Sequence, residues 1–329
     1  MKKFFLWLAG LIILLSIGLT IVFNLTPLPM ISLARQVLFS VPTDTRKPEY
    51  TEGSVTVLTN KSYTGKYKQS TFDLYLPDIP LPNEPTIAWV HGGGYIGGDK
   101  LEEKEYATKL AENGYSVAVM NYELVPETTY PIPVRQVGEF IKHLEANHEV
   151  YGLNMANLFI AGDSAGAQIA SQFIAAQTNP AYGKQIQVEA VPTLKEIKGA
   201  LLYCGPYNLI DIVEDSTSQI VSFSFDKIGW SYFDERNWEN SEKAKLSVVP
   251  NYVNKDFPPT FITDGNTSSF EQQGREFASK LEEVGVPIKT RFFDSKEVET
   301  RHEYQFKLTT PPGKIAFEDT LNFLKAYQK

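Results

Sequence analysis

From about residue 53 to the C-terminus, short apolar runs alternate with segments of helical spacing, and this alternation constrains the fold more than any other feature. "SVTVLTN", "STFDLYLP", "TIAWV", "YSVAVMNY", "NLFIAGD", "IKGALLYCG", "TFITD" and "IKTRFF" read as strands rich in β-branched and aromatic residues. "KLEEKEYATKLAENG", "PIPVRQVGEFIKHLEANHEVYG", "SAGAQIASQFIAAQ" and "KIAFEDTLNFLKAYQ" read as the helices between and after them. The alternation predicts an α/β fold, with a mostly parallel central sheet covered by helices on both faces. At 329 residues the chain is long for one domain, yet α/β folds of this size form single domains. Residues 51–329 are therefore taken as one unit. Residues 206–256 break the rhythm with aromatics (Phe223, Phe225, Trp230, Tyr232, Phe233, Trp238), charges and no clear strand. They are predicted to form a cap-like insertion above the sheet.

The amino terminus, "MKKFFLWLAGLIILLSIGLTIVFN", has two lysines and then an uncharged run from Phe4 to Phe23. At about 1.5 Å per residue such a run just spans a hydrocarbon core of roughly 30 Å. It is apolar on every face, which is unlike a helix half-buried in a soluble core. "VFNLTPLP" offers no convincing small-x-small cleavage site, so residues 1–24 are predicted as a membrane anchor, with a cleaved signal as the alternative. Lys2 and Lys3 precede the run and no basic residue follows until Arg35, which predicts a cytoplasmic short end and an extracytoplasmic domain. Residues 25–50 read as a connector with one short amphipathic piece, "ISLARQVLF".

A net charge of −8 argues against a nucleic-acid partner, which normally needs a concentrated basic surface. The single cysteine, Cys204, rules out an internal disulfide. No His/Cys spacing suggests a metal site, and no organic cofactor is implied.

"GDSAG", Gly162 to Gly166, stands between an apolar strand and a helix of small residues. Gly-x-Ser-x-Gly alone is a weak signal, and its setting sharpens it. A turn this tight forces the serine into a strained backbone conformation and leaves its hydroxyl exposed above the carboxyl ends of the strands. "HGGGYIGGD", His91 to Asp99, directly follows the "TIAWV" strand. Attack on a carbonyl creates an oxyanion that needs converging backbone N–H donors, and glycine lets the backbone approach closely. A phosphate loop would end in Gly-Lys-Ser/Thr, and here Lys100 follows Asp99. Of the four histidines, His91 reads as structural, His143 and His148 as solvated, and His302 in "TRHEYQF" as the base for Ser164.

These pieces, in this order, resemble the hormone-sensitive-lipase-like branch of the α/β-hydrolases, from about residue 70 to the end. "HGGGYIGGD" looks like that branch's oxyanion motif, "GDSAGA" like its nucleophile elbow, and "YELVPETTYPIP" like its Tyr-x-Leu-x-Pro-Glu segment. The resemblance implies Gly93, Gly94 and Ala165 as oxyanion donors, Glu127 as a structural acid, and hydrolysis of esters with small or medium acyl groups. With an N-terminal anchor, it implies a small-molecule or cell-envelope ester as substrate and the lipid bilayer, through residues 4–23, as the anchor's partner. An acyltransferase or peptidase on envelope material, or a binding protein with decayed catalysis, are the alternatives.

One element departs from the resemblance. The branch places its acid in an Asp-Pro-Leu setting after the seventh strand, and gap-free counting through "PPTFITDGNTSSFEQQG" puts Ser268 there. Asp264, at the end of "TFITD", is the first candidate for the acid. Glu271, one helical turn beyond Ser268, is the second, although Ser268-x-x-Glu271 also matches a helix capping box. A Ser–His dyad is the third reading.

Overall fold

A computed structural model of the chain describes every residue except Met1, Pro42, 192–196, 215–217 and Lys329. Among the described residues nine strands form one sheet: β1 Glu49–Glu52, β2 Val55–Ser62, β3 Thr71–Pro77, β4 Thr86–Val90, β5 Ser116–Met120, β6 Leu158–Asp163, β7 Ile197–Tyr203, β8 Thr260–Thr263 and β9 Ile288–Arg291. Their spatial order is β1-β2-β3-β5-β4-β6-β7-β8-β9. The β1–β2, β2–β3 and β3–β5 pairs are antiparallel and every pairing from β4 and β5 onward to β9 is parallel. This is the α/β-hydrolase fold. β4, β5 and β6 are buried at every position, which explains why they read as continuous apolar runs.

The helices are α1 Lys2–Leu25, α2 Leu28–Leu38, α3 Lys104–Glu112, α4 Ile132–Ala146, α5 His148–Tyr151, α6 Ala165–Thr178, α7 Pro180–Gln185, α8 Leu209–Glu214, α9 Gln219–Phe233, α10 Glu242–Ser247, α11 Glu271–Glu283 and α12 Pro311–Tyr327. One apolar cluster, which includes Val134, Val137, Phe140, Ile141 and Leu144 of α4 and Ile169, Phe173 and Ile174 of α6, fills one side of the sheet. A second, with Tyr106 and Leu110 of α3 and Phe323 and Leu324 of α12, fills the other.

Two predicted helices are shorter than their patterns. The 100–114 helix begins at Lys104, because the Asp99 carboxylate accepts the Leu101 N–H at 2.9 Å and holds a turn ahead of it. The 131–152 helix breaks at Asn147, whose side chain donates back to the His143 carbonyl at 2.8 Å, and the single turn α5 ends on Gly152 at φ +69°. His143 is half-buried rather than solvated, because α4 lays its ring edge-on to Phe72, with Tyr151 beside it. His148 is likewise half-buried, its Nδ1 2.7 Å from the Glu145 carbonyl.

The 25–50 stretch is docked rather than free. Met30 and Ile31 of α2 are buried in the main core, and β1 extends the sheet's edge. α1 is 24 residues long and exposed along most of its length, so its length and composition suit either a membrane span or a signal sequence.

The 206–256 stretch supplies α8, α9 and α10 between β7 and β8, with 215–217 outside the described residues. Its aromatics do not collectively line a pocket. Tyr232, Phe233 and Trp238 are buried against one another and against Tyr95 and Tyr130, forming the insertion's own core. Phe225 faces the site through Phe270, which lies edge-on to His302 at 5.3 Å.

Candidate active site

Ser164 occupies the turn from β6 into α6 at φ +48°, ψ −123°, a conformation that costs an L-residue about 1–3 kcal/mol. The surroundings hold it there. The Ser164 N–H donates to the Tyr203 carbonyl at 2.8 Å, and its carbonyl accepts the Ala167 N–H at 3.0 Å. A Cβ on Gly166 would run into the Val90 and His91 carbonyls, so only glycine lets α6 start this close to β4.

The loop after β4 supplies the facing wall. Gly93 and Gly94 have φ of +103° and +58°, and the Gly93 carbonyl accepts the N–H groups of Ile96 and Gly97 at 3.2 and 2.9 Å. That folding turns the loop's amides inward. Among the described residues, no acceptor takes the N–H of Gly93, Gly94 or Ala165. His91 lies beneath the loop, stacked on Tyr122 with ring centroids 4.5 Å apart and its Nδ1 2.7 Å from the Gly92 carbonyl. Burial lowers it to about 4, so it is a neutral packing residue.

His302 reaches Ser164 from the loop after β9, with Nε2 2.9 Å from the serine Oγ. Asn266 fastens that loop to the one after β8: its amide donates to Phe293 and Val298 carbonyls, and its oxygen accepts the Thr300 N–H at 3.0 Å. The other ring nitrogen, Nδ1, lies 2.6 Å from Ser269 Oγ. Ser269 in turn donates a short hydrogen bond to Asp264 Oδ1, which also accepts the Gly265 N–H at 2.7 Å. The structure therefore aligns Ser164, His302, Ser269 and Asp264 in one chain. A hydroxyl donates once and still accepts, so an ionised Asp264 fixes Ser269 as donor to the carboxylate and acceptor from His302 Nδ1–H. Nε2 is then left unprotonated toward Ser164.

Two sequence expectations are corrected here. Glu271 does not approach His302; it opens α11 and pairs with Arg275 at 2.5 Å. Nor does the capping box form, since α11 begins after Phe270 with no side-chain cap. Ser268 sits at φ +51° and makes no hydrogen bond to the histidine, and that turn brings the next residue, Ser269, to face it. Glu127 pairs with Arg35 of α2 on the flank of the oxyanion loop.

Burial depresses the His302 imidazole to about 4 and raises the Asp264 carboxyl to about 7. Cys204, Asp264 and His302 place metal-ligand-type atoms within 4.8 Å of one another. The imidazole Nδ1 and Asp264 Oδ1 are both engaged by Ser269, and burial raises the Cys204 thiol well above its ordinary range, so the set suits a proton relay better than a metal.

A second acidic group lies under the oxyanion loop and has no forerunner in the sequence reading. Glu303 Oε1 is 3.6 Å from His302 Nε2, and a Cβ on Gly92 would touch both Asp163 and Glu303. Burial, then the charges of Asp163 and Glu102, raise Glu303 to about 8, while burial raises Glu103 well above the carboxylate range. Asp163 accepts the Trp89 indole N–H at 2.8 Å. Near neutral pH Glu303 is thus held toward its protonated form, 3.6 Å from the imidazole nitrogen that faces Ser164. As pH rises through about 8 it ionises there, and activity is expected to fall. Glu303→Gln should hold its plateau above pH 8.5 where the wild type declines, and superimposable alkaline limbs in kcat/KM would contradict this assignment.

The fold and the arrangement at Ser164 define an esterase-like α/β-hydrolase of the hormone-sensitive-lipase-like branch. Residues 72–281 match the profile of the BD-FAE family, and the chain belongs to that family. It is 27% identical over 233 residues to an esterase of Gibberella moniliformis, covering 68% of this chain and 69% of that one. It is 25% identical over 255 residues to the versiconal hemiacetal acetate esterase of Dothistroma septosporum, covering 74% and 72%. The structure superposes on esterase B from Lactobacillus rhamnosis with a TM-score of 0.72 at 21% identity, over 95% of this chain and 94% of that one.

Proposed function

We propose that the protein hydrolyses carboxylic esters of small to medium acyl chains through an acyl-enzyme, at the outer face of a membrane that α1 spans. The 2.9 Å approach of His302 Nε2 to a strained, positioned Ser164 Oγ carries the catalytic part of this reading. The serine attacks the ester carbonyl as His302 takes its proton. The tetrahedral oxyanion is held by the N–H groups of Gly93, Gly94 and Ala165, which have no other acceptor among the described residues. His302 then protonates the departing alcohol, and a water activated by the same imidazole releases the acid. Ser269 and Asp264 hold the imidazole's tautomer and offset the positive charge it acquires. No step calls on a metal or an organic cofactor.

The membrane part rests on the charge-free run of α1 behind Lys2 and Lys3. A fluorophosphonate probe tests the catalytic reading: the full-length protein should be labelled stoichiometrically at Ser164. Failure to label would refute it. Protease added to intact cells tests the topology, and a domain protected until the cells are lysed would refute an outer location.

A further inference from the structure

Of the ten large apolar side chains exposed outside α1 among the described residues, four lie on α2 (Leu28, Leu33, Val37, Leu38) and three on α9 (Ile220, Val221, Phe223). The other three, Ile79, Val150 and Ile315, are scattered singly, as such residues are on any soluble surface. The two helices are neighbours, and both meet the chain where α1 ends. Phe23 of α1 lies edge-on to Phe223 of α9 at 5.9 Å. Only Thr26 and Pro27 separate α1 from α2, and two residues reach at most about 7 Å. If α1 spans the bilayer, α2 starts at the headgroup layer, which is itself roughly 5–8 Å deep.

The same two helices hold the two walls of the active site. The Arg35 side chain of α2 donates to the carbonyls of Ile96 and Val125, each at 2.5 Å, and Phe39, directly after α2, packs against Gly97 and Gly94 of the oxyanion loop. On the other wall, Phe225 of α9 touches Phe270, which touches His302. The outward-facing apolar residues of α2 and α9 therefore flank the approach to Ser164.

We propose that α2 and α9 form an apolar rim seated in the headgroup region of a phospholipid leaflet, and that esters dissolved in that leaflet enter the site between the two helices. The substrate class is then an amphipathic ester whose acyl chain starts in the bilayer. This rests on reading α1 as a membrane span, and a leaflet is favoured over a protein partner because the chain itself delivers the rim to the membrane surface.

The test uses the full chain reconstituted in phosphatidylcholine vesicles, with single cysteines Leu14→Cys, Val37→Cys, Ile220→Cys and Ile79→Cys labelled by an environment-sensitive fluorophore. Cys204 is buried and stays unlabelled. Spin-labelled phosphatidylcholine should quench the fluorophore at 14, 37 and 220 and leave that at 79 bright. Quenching at 14 with 37 and 220 behaving like 79 would overturn the rim and leave the anchor standing. No quenching at 14 would remove the anchor and the rim together. For the substrate route, Leu38→Glu combined with Ile220→Glu should lower turnover of bilayer-dissolved p-nitrophenyl decanoate by about tenfold or more. Dissolved p-nitrophenyl acetate should be turned over at the wild-type rate, and equal losses on both esters, or none on either, would overturn the route.

Discussion

Ser164→Ala should lose on the order of six decades of kcat toward p-nitrophenyl butyrate, because the acyl-enzyme has no other nucleophile to form on. The expected residue of activity is about 10³–10⁴ over the uncatalysed reaction, supplied by the oxyanion donors and binding alone. The backbone at this turn is strained for alanine as much as for serine, and Gly166 still lets α6 start against β4. The melting temperature should therefore stay close to that of the wild type. A collapse of stability together with activity would mean that the hydroxyl serves the fold; retained activity would remove Ser164 from the chemistry.

The second large effect lies at the far end of the relay. Asp264→Asn should lower kcat/KM by about 10²–10⁴, which is about 3–5 kcal/mol of transition-state stabilisation. An amide can donate to Ser269, reverse the hydroxyl, and favour the imidazole tautomer that holds its proton toward Ser164. Ser269→Ala removes the bridge while leaving the carboxylate in place, and should cost about 10–10², or about 1.4–2.7 kcal/mol. Since the two act through one another, the double variant should be no worse than Asp264→Asn alone. Additive losses would show that Asp264 acts by another route.

The pH profile tests the same linkage with the opposite readout. Burial raises Asp264 to about 7, so the relay gains its charge, and kcat/KM its plateau, as pH rises through about 7. In Asp264→Asn that limb disappears, leaving the one set by His302 near 4 on a lower plateau. Because the relay titrates as a unit, the midpoint belongs to the chain of groups rather than to the carboxyl alone. Glu271→Gln should leave the profile unchanged, as its carboxylate is engaged by Arg275.

Much of this arrangement is legible in the linear sequence, for identifiable reasons. Strands such as "TIAWV" and "NLFIAGD" are buried on both faces, so their residues report burial without ambiguity. Gly162, Ser164 and Gly166 report a close crossing of β6, α6 and β4 that few other residues allow. The acid was harder to place, because Asp264 reaches His302 through a third side chain. Gap-free counting assumes one loop shape, and the turn at Ser268, φ +51°, puts Ser269 where the count put its neighbour. Glu303 gave no sign, since its setting depends on Asp163 and Glu102, distant in sequence and gathered only by the fold. Likewise, the aromatics of 206–256 mark a cap in the sequence, but composition cannot tell the cap's own core from the wall of a site.

The central claim is an ester-derived acyl group carried on Ser164. Rapid acid quench of the enzyme during turnover of p-nitrophenyl butyrate, followed by intact-mass and peptide mass spectrometry, tests it most directly. The mechanism predicts a butyryl adduct on the peptide containing Ser164, increased in Ser269→Ala if deacylation is the step that suffers more. An active enzyme that shows no adduct, or one modified at any other residue, would contradict the account.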